Sequence, residues 1–163
     1  MRWGSHARTG SEHSMGGDHS AGEIQIFHRE MAGEIQAFSF MIRERFHPNN
    51  RHWTNIFSKF RSITSVGKTA VVLAPPRGIM DLLSDSMGKY DPSSILRVPI
   101  RYHGSQTTPP CDENVVWTIF PRALQLSTRQ MTLLRNIRME HGMKMAGNSR
   151  PTQSSTARPC IVT

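Results

Sequence analysis

The stretch "YHGSQTTPPCDENVVWTIF", Tyr102 to Phe120, decides the fold. Its last seven residues, "NVVWTIF", are rich in β-branched and aromatic side chains, which predicts a strand. The overlapping stretch "ILRVPIRYHGS", residues 95–105, also has strand character. Pro99 restricts part of it to a sheet edge or a bulge, because proline cannot donate to a strand ladder.

Periodicity predicts the elements upstream. The residues "GEIQIFH", 22–28, alternate as in a half-buried strand, and "TAVVLA", 69–74, has the composition of a buried strand. Residues 55–63 suit a short helix, and 79–87 are helical or irregular. The spacing also predicts a helix over residues 30–47, with four apolar side chains on one side: Met31, Ile35, Phe38 and Ile42.

One helix is predicted clearly, and it follows the strongest strand. Ser127 and Gln130 fit a capping box, apolar residues follow at helical spacing, and Gly142 is a plausible stop. Strands separated by irregular segments, with one late helix, predict a β-dominated mixed α/β fold.

The pentapeptide "AGEIQ" occurs at 21–25 and again at 32–36. A single echo is not a repeat architecture, so we assign it no function.

Composition narrows the class of protein. The chain has 163 residues, which suits one domain, and its 37% hydrophobic content predicts a thin core. The formal charge is +8, and from Pro121 onward seven basic residues face one acid, Glu140. A solvated basic face explains this excess, and the absence of zinc-finger spacing argues against nucleic acid. No apolar run suits a membrane span and the start does not read as a signal peptide.

Several separated motifs resemble the α-carbonic anhydrase family. The run "YHGSQTTPPC" before a Trp-containing strand is similar to the family's C-terminal signature, and three upstream motifs and one downstream follow in the family's order: "RWGS" at 2–5, "GSEH" at 10–13, "GEIQIFH", and "NSRPTQ" at 148–153. The resemblance implies a twisted, mostly antiparallel central sheet with peripheral helices and a cis peptide at Pro109-Pro110.

The resemblance covers only part of the family's domain. Residues 1–155 are interpreted as a partial α-carbonic anhydrase-like domain in which 29–89 match poorly, and 156–163 as an extended tail. The family's N-terminal third has no counterpart in the chain. We therefore expect an incomplete α-carbonic anhydrase fold.

The positions of the family's zinc ligands hold other residues. Active members bind zinc through a His-x-His pair before Trp-Gly and a third histidine after Glu-x, which leaves one position for water. Here those positions hold Arg2 and Gln25, and the first ligand would precede Met1. Arginine offers no lone pair, and a glutamine oxygen is a poor zinc ligand. We therefore predict no metal and no cofactor.

The residues that surround the zinc site in the family are better matched. By resemblance, Glu12 and Thr107 are the pair that orients zinc hydroxide, and Thr108 lines the same cavity. His13 matches a structural histidine, and Glu23 matches the carboxylate that orients the third ligand. These residues are vestiges of a catalytic site, and their simpler interpretation is a satisfied buried polar network. Gln106 stands where the family has leucine in the pocket wall.

The pattern looks closest to the inactive carbonic anhydrase-related proteins of type X and XI. That resemblance implies a zinc-free, secreted protein-recognition domain without CO2 hydration, with a neuronal cell-surface partner of the neurexin class. The alternative is a zinc-dependent carbonic anhydrase represented by a truncated sequence, and a basic nucleic-acid or anionic-surface module is a third hypothesis. In extracellular members of the family, the cysteine that matches Cys111 forms a disulfide with the N-terminal part of the domain. A Cys111–Cys160 bridge and two free thiols both stay open.

Overall fold

The computed structural model describes residues 1–31, 33–46, 48–73, 75, 77–84, 98–145, 147–153 and 159–162. It confirms a β-dominated mixed fold. The described strands are β1 (Arg2–Trp3), β2 (Ser14–Met15), β3 (Asp18–His19), β4 (Gly22–Arg29), β5 (Ile35–Arg45), β6 (Ile100–Gly104), β7 (Val115–Ser127) and β8 (Ile161–Val162). The helices are α1 (Thr54–Lys59), α2 (Ile79–Leu82) and α3 (Thr128–Arg135), with 3-10 turns at Arg51–Trp53 and Phe60–Ser62.

Six strands form one sheet in the order β1-β4-β5-β7-β6-β8, and β2 pairs with β3 in a separate hairpin. The pairs are antiparallel except for β5 with β7, so the mostly antiparallel sheet is confirmed. The strand predicted at "NVVWTIF" is the start of β7, where Val115 and Trp117 are buried. Pro121 lies in β7 beyond the residues paired with β6, beside a register shift against β5. A proline is tolerated there because the ladder is already interrupted.

The helix predicted over residues 30–47 is wrong, because most of this segment forms β5. Its apolar residues recur at helical spacing, but several of them are aromatic or β-branched, which favours a strand. Hydrogen bonding to both β4 and β7 stabilises the strand. A tight turn precedes it: Glu30 N donates to Glu34 O at 2.9 Å, and Gly33 adopts φ +92°. Glycine suits that left-handed conformation, which reverses the chain between β4 and β5.

The buried strand predicted at 69–74 is also wrong over its described residues. Residues 69–73 have no strand partner, and Val71 and Leu73 are 87% and 84% exposed. Ala74 lies outside the described residues. A β-branched composition does not make a strand without a sheet edge to pair with.

The helices agree better with the sequence. The short helix at 55–63 is confirmed as α1, and the capping box of α3 is present with both of its reciprocal hydrogen bonds. Gly142 does not end α3, which stops at Arg135. The predicted segment 79–87 is helical at Ile79–Leu82 and leaves the described residues after Ser84. None of the described helices is long and apolar enough to cross a membrane.

The main core lies where α1, α3 and the sheet meet. Met131 and Leu134 of α3 pack against buried side chains of β4, β5, β7, α1 and the 3-10 turn that precedes α1. The cluster includes Ile24, Phe40, Ile42, Trp53, Phe57, Leu124 and Leu126. A second, smaller cluster joins Ile35, Ala37, Val115 and Trp117. This packing holds β4 and its neighbours in place, and β4 carries the candidate site.

Candidate functional site

The site is built around Glu23, a fully buried carboxylate on β4. Its Oε2 accepts from the backbone nitrogens of Glu12 (2.8 Å) and His13 (3.0 Å). Its Oε1 lies 2.7 Å from His13 Nδ1 and accepts from Ser39 Oγ (2.8 Å) and Gln25 Nε2 (3.0 Å). Five hydrogen bonds therefore replace the water that a buried carboxylate would otherwise need.

These contacts keep Glu23 ionised. Burial on its own would raise the pKa of Glu23. The hydrogen bond and charge of the His13 ring, together with the hydrogen bonds from His13 N and Gln25, outweigh burial and lower the pKa from 4.5 to about 2. A buried anion at the centre of the site is thus stabilised by named donors.

The strand periodicity brings these residues together. Glu23 and Gln25 are two apart on β4 and project from the same face. Ser39 is the register partner of Gln25 on β5. Because the sequence predicted a helix there, Ser39 was missed. Tyr102, whose hydroxyl lies 2.6 Å from His13 Nε2, was also missed, although it is in the stretch that predicts the fold.

Arg2 occupies the predicted second ligand position and makes three contacts. Its Nε lies 3.1 Å from Glu12 Oε1, Nη2 donates to Thr107 Oγ1 at 3.1 Å, and Nη1 donates to Asn148 O at 3.1 Å. Its pairing with β4 places it directly opposite Glu23. The guanidinium therefore stands between Glu12 and Thr107, the two residues that orient the nucleophile in the family.

Gln25 occupies the predicted third ligand position and bridges two carboxylates. Its amide nitrogen donates to Glu12 Oε2 at 2.7 Å as well as to Glu23 Oε1. Glu12 accepts a third group, the Arg150 backbone nitrogen, at 2.9 Å. The side chain of Glu12 is only 5% exposed, so its charge is met by Arg2 and by these donors.

The other predicted residues lie near the network. Thr108 is in the turn after Thr107, where its carbonyl accepts from Cys111 N at 2.9 Å. The predicted cis peptide at Pro109-Pro110 is present. Cys111 and Cys160 are both free thiols, with Cys160 exposed.

A cavity of about 470 Å³ adjoins the network. Its lining includes Glu12, His13, Tyr102, Thr107 and Cys160. The polar groups of the network thus form part of the cavity wall.

The arrangement does not fit a zinc ion. A guanidinium has no lone pair to give a metal, and the Gln25 amide presents its nitrogen to the carboxylates. Among the described residues, no cluster of three or more His, Cys, Asp or Glu side chains could hold a metal. No catalytic step through zinc can be derived from these residues.

The whole chain matches one protein family. The sequence model of eukaryotic-type carbonic anhydrases matches residues 1–162, so the chain belongs to the carbonic anhydrase family. Carbonic anhydrase 4 of Mus musculus is 28% identical, over 94% of this chain and 50% of the relative. Alpha carbonic anhydrase 3 of Arabidopsis thaliana is 30% identical over 94% and 50%, and carbonic anhydrase 6 of Homo sapiens is 27% identical over 91% and 49%. The chain spans about half the length of these curated relatives.

Proposed function

We propose that this chain is a zinc-free carbonic anhydrase-related domain that acts in protein recognition and does not hydrate CO2. The observation that carries the proposal is the pair Arg2 and Gln25. Both stand at the positions of the family's zinc ligands; Arg2 forms an ion pair with Glu12, and Gln25 donates a hydrogen bond to it.

Electrostatics supports the proposal. The Arg2 guanidinium lies 3.1 Å from Glu12 and already compensates the charge of this carboxylate. A divalent cation beside the guanidinium would be repelled by its positive charge. Thr107 Oγ1 accepts a hydrogen bond from Arg2. In the family, the equivalent threonine accepts a hydrogen bond from zinc hydroxide, so Arg2 takes the place of that donor. The polar groups satisfy each other and require no ion.

Resemblance to the type X and XI proteins supplies the rest of the proposal. We place the protein outside the cell and take a neuronal cell-surface protein as its partner. Purified chain should then bind cultured neurons in a saturable way, and heat-unfolded chain should not. Equal binding of both preparations would remove the support for a specific partner.

A CO2 hydration assay tests the catalytic half of the proposal. The chain is assayed with and without added zinc, with mouse carbonic anhydrase 4 treated identically as the positive control. We expect the rate with this chain to equal the buffer rate under both conditions. Zinc-dependent turnover by this chain would contradict the proposal.

The alternative, a zinc-dependent carbonic anhydrase, is favoured by one set of contacts. Glu12, Thr107 and Glu23 lie together, as the resemblance implies for a working site. The test is the double variant Arg2→His/Gln25→His. Under this alternative the wild type already binds zinc and the variant binds it more tightly, whereas a zinc-free domain binds zinc only in the variant, if at all.

A further inference from the structure

Two segments without acidic residues pack together at one end of the sheet. Residues 46–80 contain no Asp or Glu and five basic residues, and 121–139 contain no Asp or Glu and four arginines. The first segment includes α1 and the 3-10 turns, and the second includes α3, which contacts the turn Phe60–Ser62. Gln130 joins them through hydrogen bonds to the backbone of Asn50. The two segments together therefore carry nine basic residues and no acidic residue.

A cleft of about 330 Å³ opens between α1 and α3. Arg61 and Arg129 line opposite sides of it, Thr54 and Ser58 add hydroxyl groups, and Phe57 and Leu133 contribute apolar surface. No acidic side chain is among the described residues that line the cleft. Arg61 and Arg129 are exposed, and neither makes an ion pair or a side-chain hydrogen bond to another described residue.

The acids on neighbouring elements are already paired. Glu44, on β5 beside α3, holds Arg135 through two contacts of 2.6 and 3.1 Å. Asp81, on α2, lies 2.9 Å from Arg77. The two cleft guanidiniums thus keep their full donor capacity for a ligand, and guanidinium forks suit the oxygens of a tetrahedral anion.

We propose that this cleft binds the sulfate groups of a linear sulfated polysaccharide. A single-stranded nucleic acid would also present oxyanions, but its bases call for exposed aromatic faces on which to stack. Phe57, the aromatic residue among those that line the cleft, is only 4% exposed. The guanidinium groups of the cleft suit the sulfate esters of a polysaccharide, and its threonine and serine hydroxyl groups suit the sugar hydroxyl groups. The cleft shares no residue with the Arg2–Glu12–Gln25 network, so this inference does not depend on the proposed function.

Binding of the full chain to immobilised heparin tests the inference, with salt varied. The variant Arg61→Ala/Arg129→Ala should lose at least ~10-fold in affinity and show a weaker salt dependence, because two charge-assisted contacts are removed. The matched control is Arg29→Ala/Arg101→Ala, which removes the same charge. Both control residues are exposed and lie near the start of β5, about 30 Å along that 11-residue strand from α3. The control should lose less than ~2-fold, since surface charge alone is screened.

Three outcomes would overturn the inference. One is no heparin binding at low salt, and another is an equal loss in both double variants, which would mean that net charge alone is sensed. The third is equal or tighter binding of DNA of matched charge, single-stranded or duplex, with the same loss in the cleft variant, which would assign the cleft to nucleic acid. Near-ultraviolet circular dichroism of each variant shows whether the fold is retained. Arg129→Gln replaces the cleft double variant if that variant unfolds, and Arg29→Ala replaces the control in the same way.

Discussion

At the scale of single residues, Arg2 and Gln25 join Glu12 and Glu23 in one polar network. Arg2 supplies positive charge to Glu12, and the Gln25 amide donates to both Glu12 and Glu23, which are buried. Removing either donor would leave a buried carboxylate short of partners, and that is costly.

Gln25 and Gln36 make a matched pair, because each is the last residue of an "AGEIQ" copy. Gln25 donates to two buried carboxylates, whereas Gln36 donates to Glu34 at the surface. Gln25→Ala should lower the free energy of unfolding by about 2 to 3 kcal/mol, and Gln36→Ala by less than about 0.5 kcal/mol. Urea denaturation measures both. Equal effects would mean that Gln25 does not support the carboxylates.

Arg2→Met should be destabilising by about 3 kcal/mol, because it leaves the Glu12 charge buried without its cation. Adding Glu12→Gln to Arg2→Met should recover part of this loss, since a neutral amide needs no counter-charge. Arg8→Met is the control, because the Arg8–Asp18 pair is exposed at 4.0 Å. Thermal unfolding of wild type, Arg2→Met, Glu12→Gln and the double variant measures the coupling, with Arg8→Met compared separately. An additive double variant would argue against the ion pair.

Glu23 predicts a pH dependence whose sign follows from its depressed pKa. The folded state holds the carboxylate ionised with a pKa of about 2, against 4.5 when unfolded. Its contribution, about 3 kcal/mol, is therefore fully present above pH 4.5 and is lost as the pH falls towards 2. Glu23→Gln should flatten the dependence of unfolding free energy on pH between 5 and 2, measured by urea denaturation. An unchanged slope would show that other carboxylates govern acid unfolding.

At the scale of elements, local signals predicted structure where they agreed with the tertiary environment. Ser127 with Gln130 predicts the start of α3 because a capping box is satisfied within four residues. The segment that forms β5 could not be assigned in the same way. Its strand state depends on β4 and β7, which lie on either side only after folding. Likewise, Arg2 and Gln25 were placed by resemblance, but their contacts with Glu12 depend on a strand pairing and a loop that no local pattern encodes.

The capping box gives a prediction for α3. Ser127→Ala removes the acceptor for Gln130 N and should cost about 1 to 2 kcal/mol of stability. Thr132→Ala, at an exposed position on the same helix, should have almost no effect. Chemical denaturation compares the two. If they are equally stable, the cap does not fix the start of the helix.

At the scale of the whole molecule, one sheet edge is only partly covered. β1 pairs with β4 only at Gly22 and Glu23, so among the described strands none covers the outer edge of β4 from Ile24 to Arg29. Such an edge promotes pairing with other chains. Phe27 on this segment is 47% exposed.

Phe27→Lys should therefore reduce concentration-dependent association, since a lysine on an edge strand opposes pairing. Met31→Lys adds the same charge at a fully exposed apolar position beyond the end of β4, and it should change association less. Light scattering over a dilution series measures both. Equal suppression would mean that charge, and not the strand edge, controls association.

We propose that Arg2 and Gln25 exclude zinc from this carbonic anhydrase-like site. The most direct test is the metal content of purified wild-type chain, determined by plasma mass spectrometry after incubation with zinc and dialysis. We predict that wild type retains no stoichiometric zinc. One tightly held zinc per wild-type chain, lost on mutation of Glu12 or Thr107, would contradict the account.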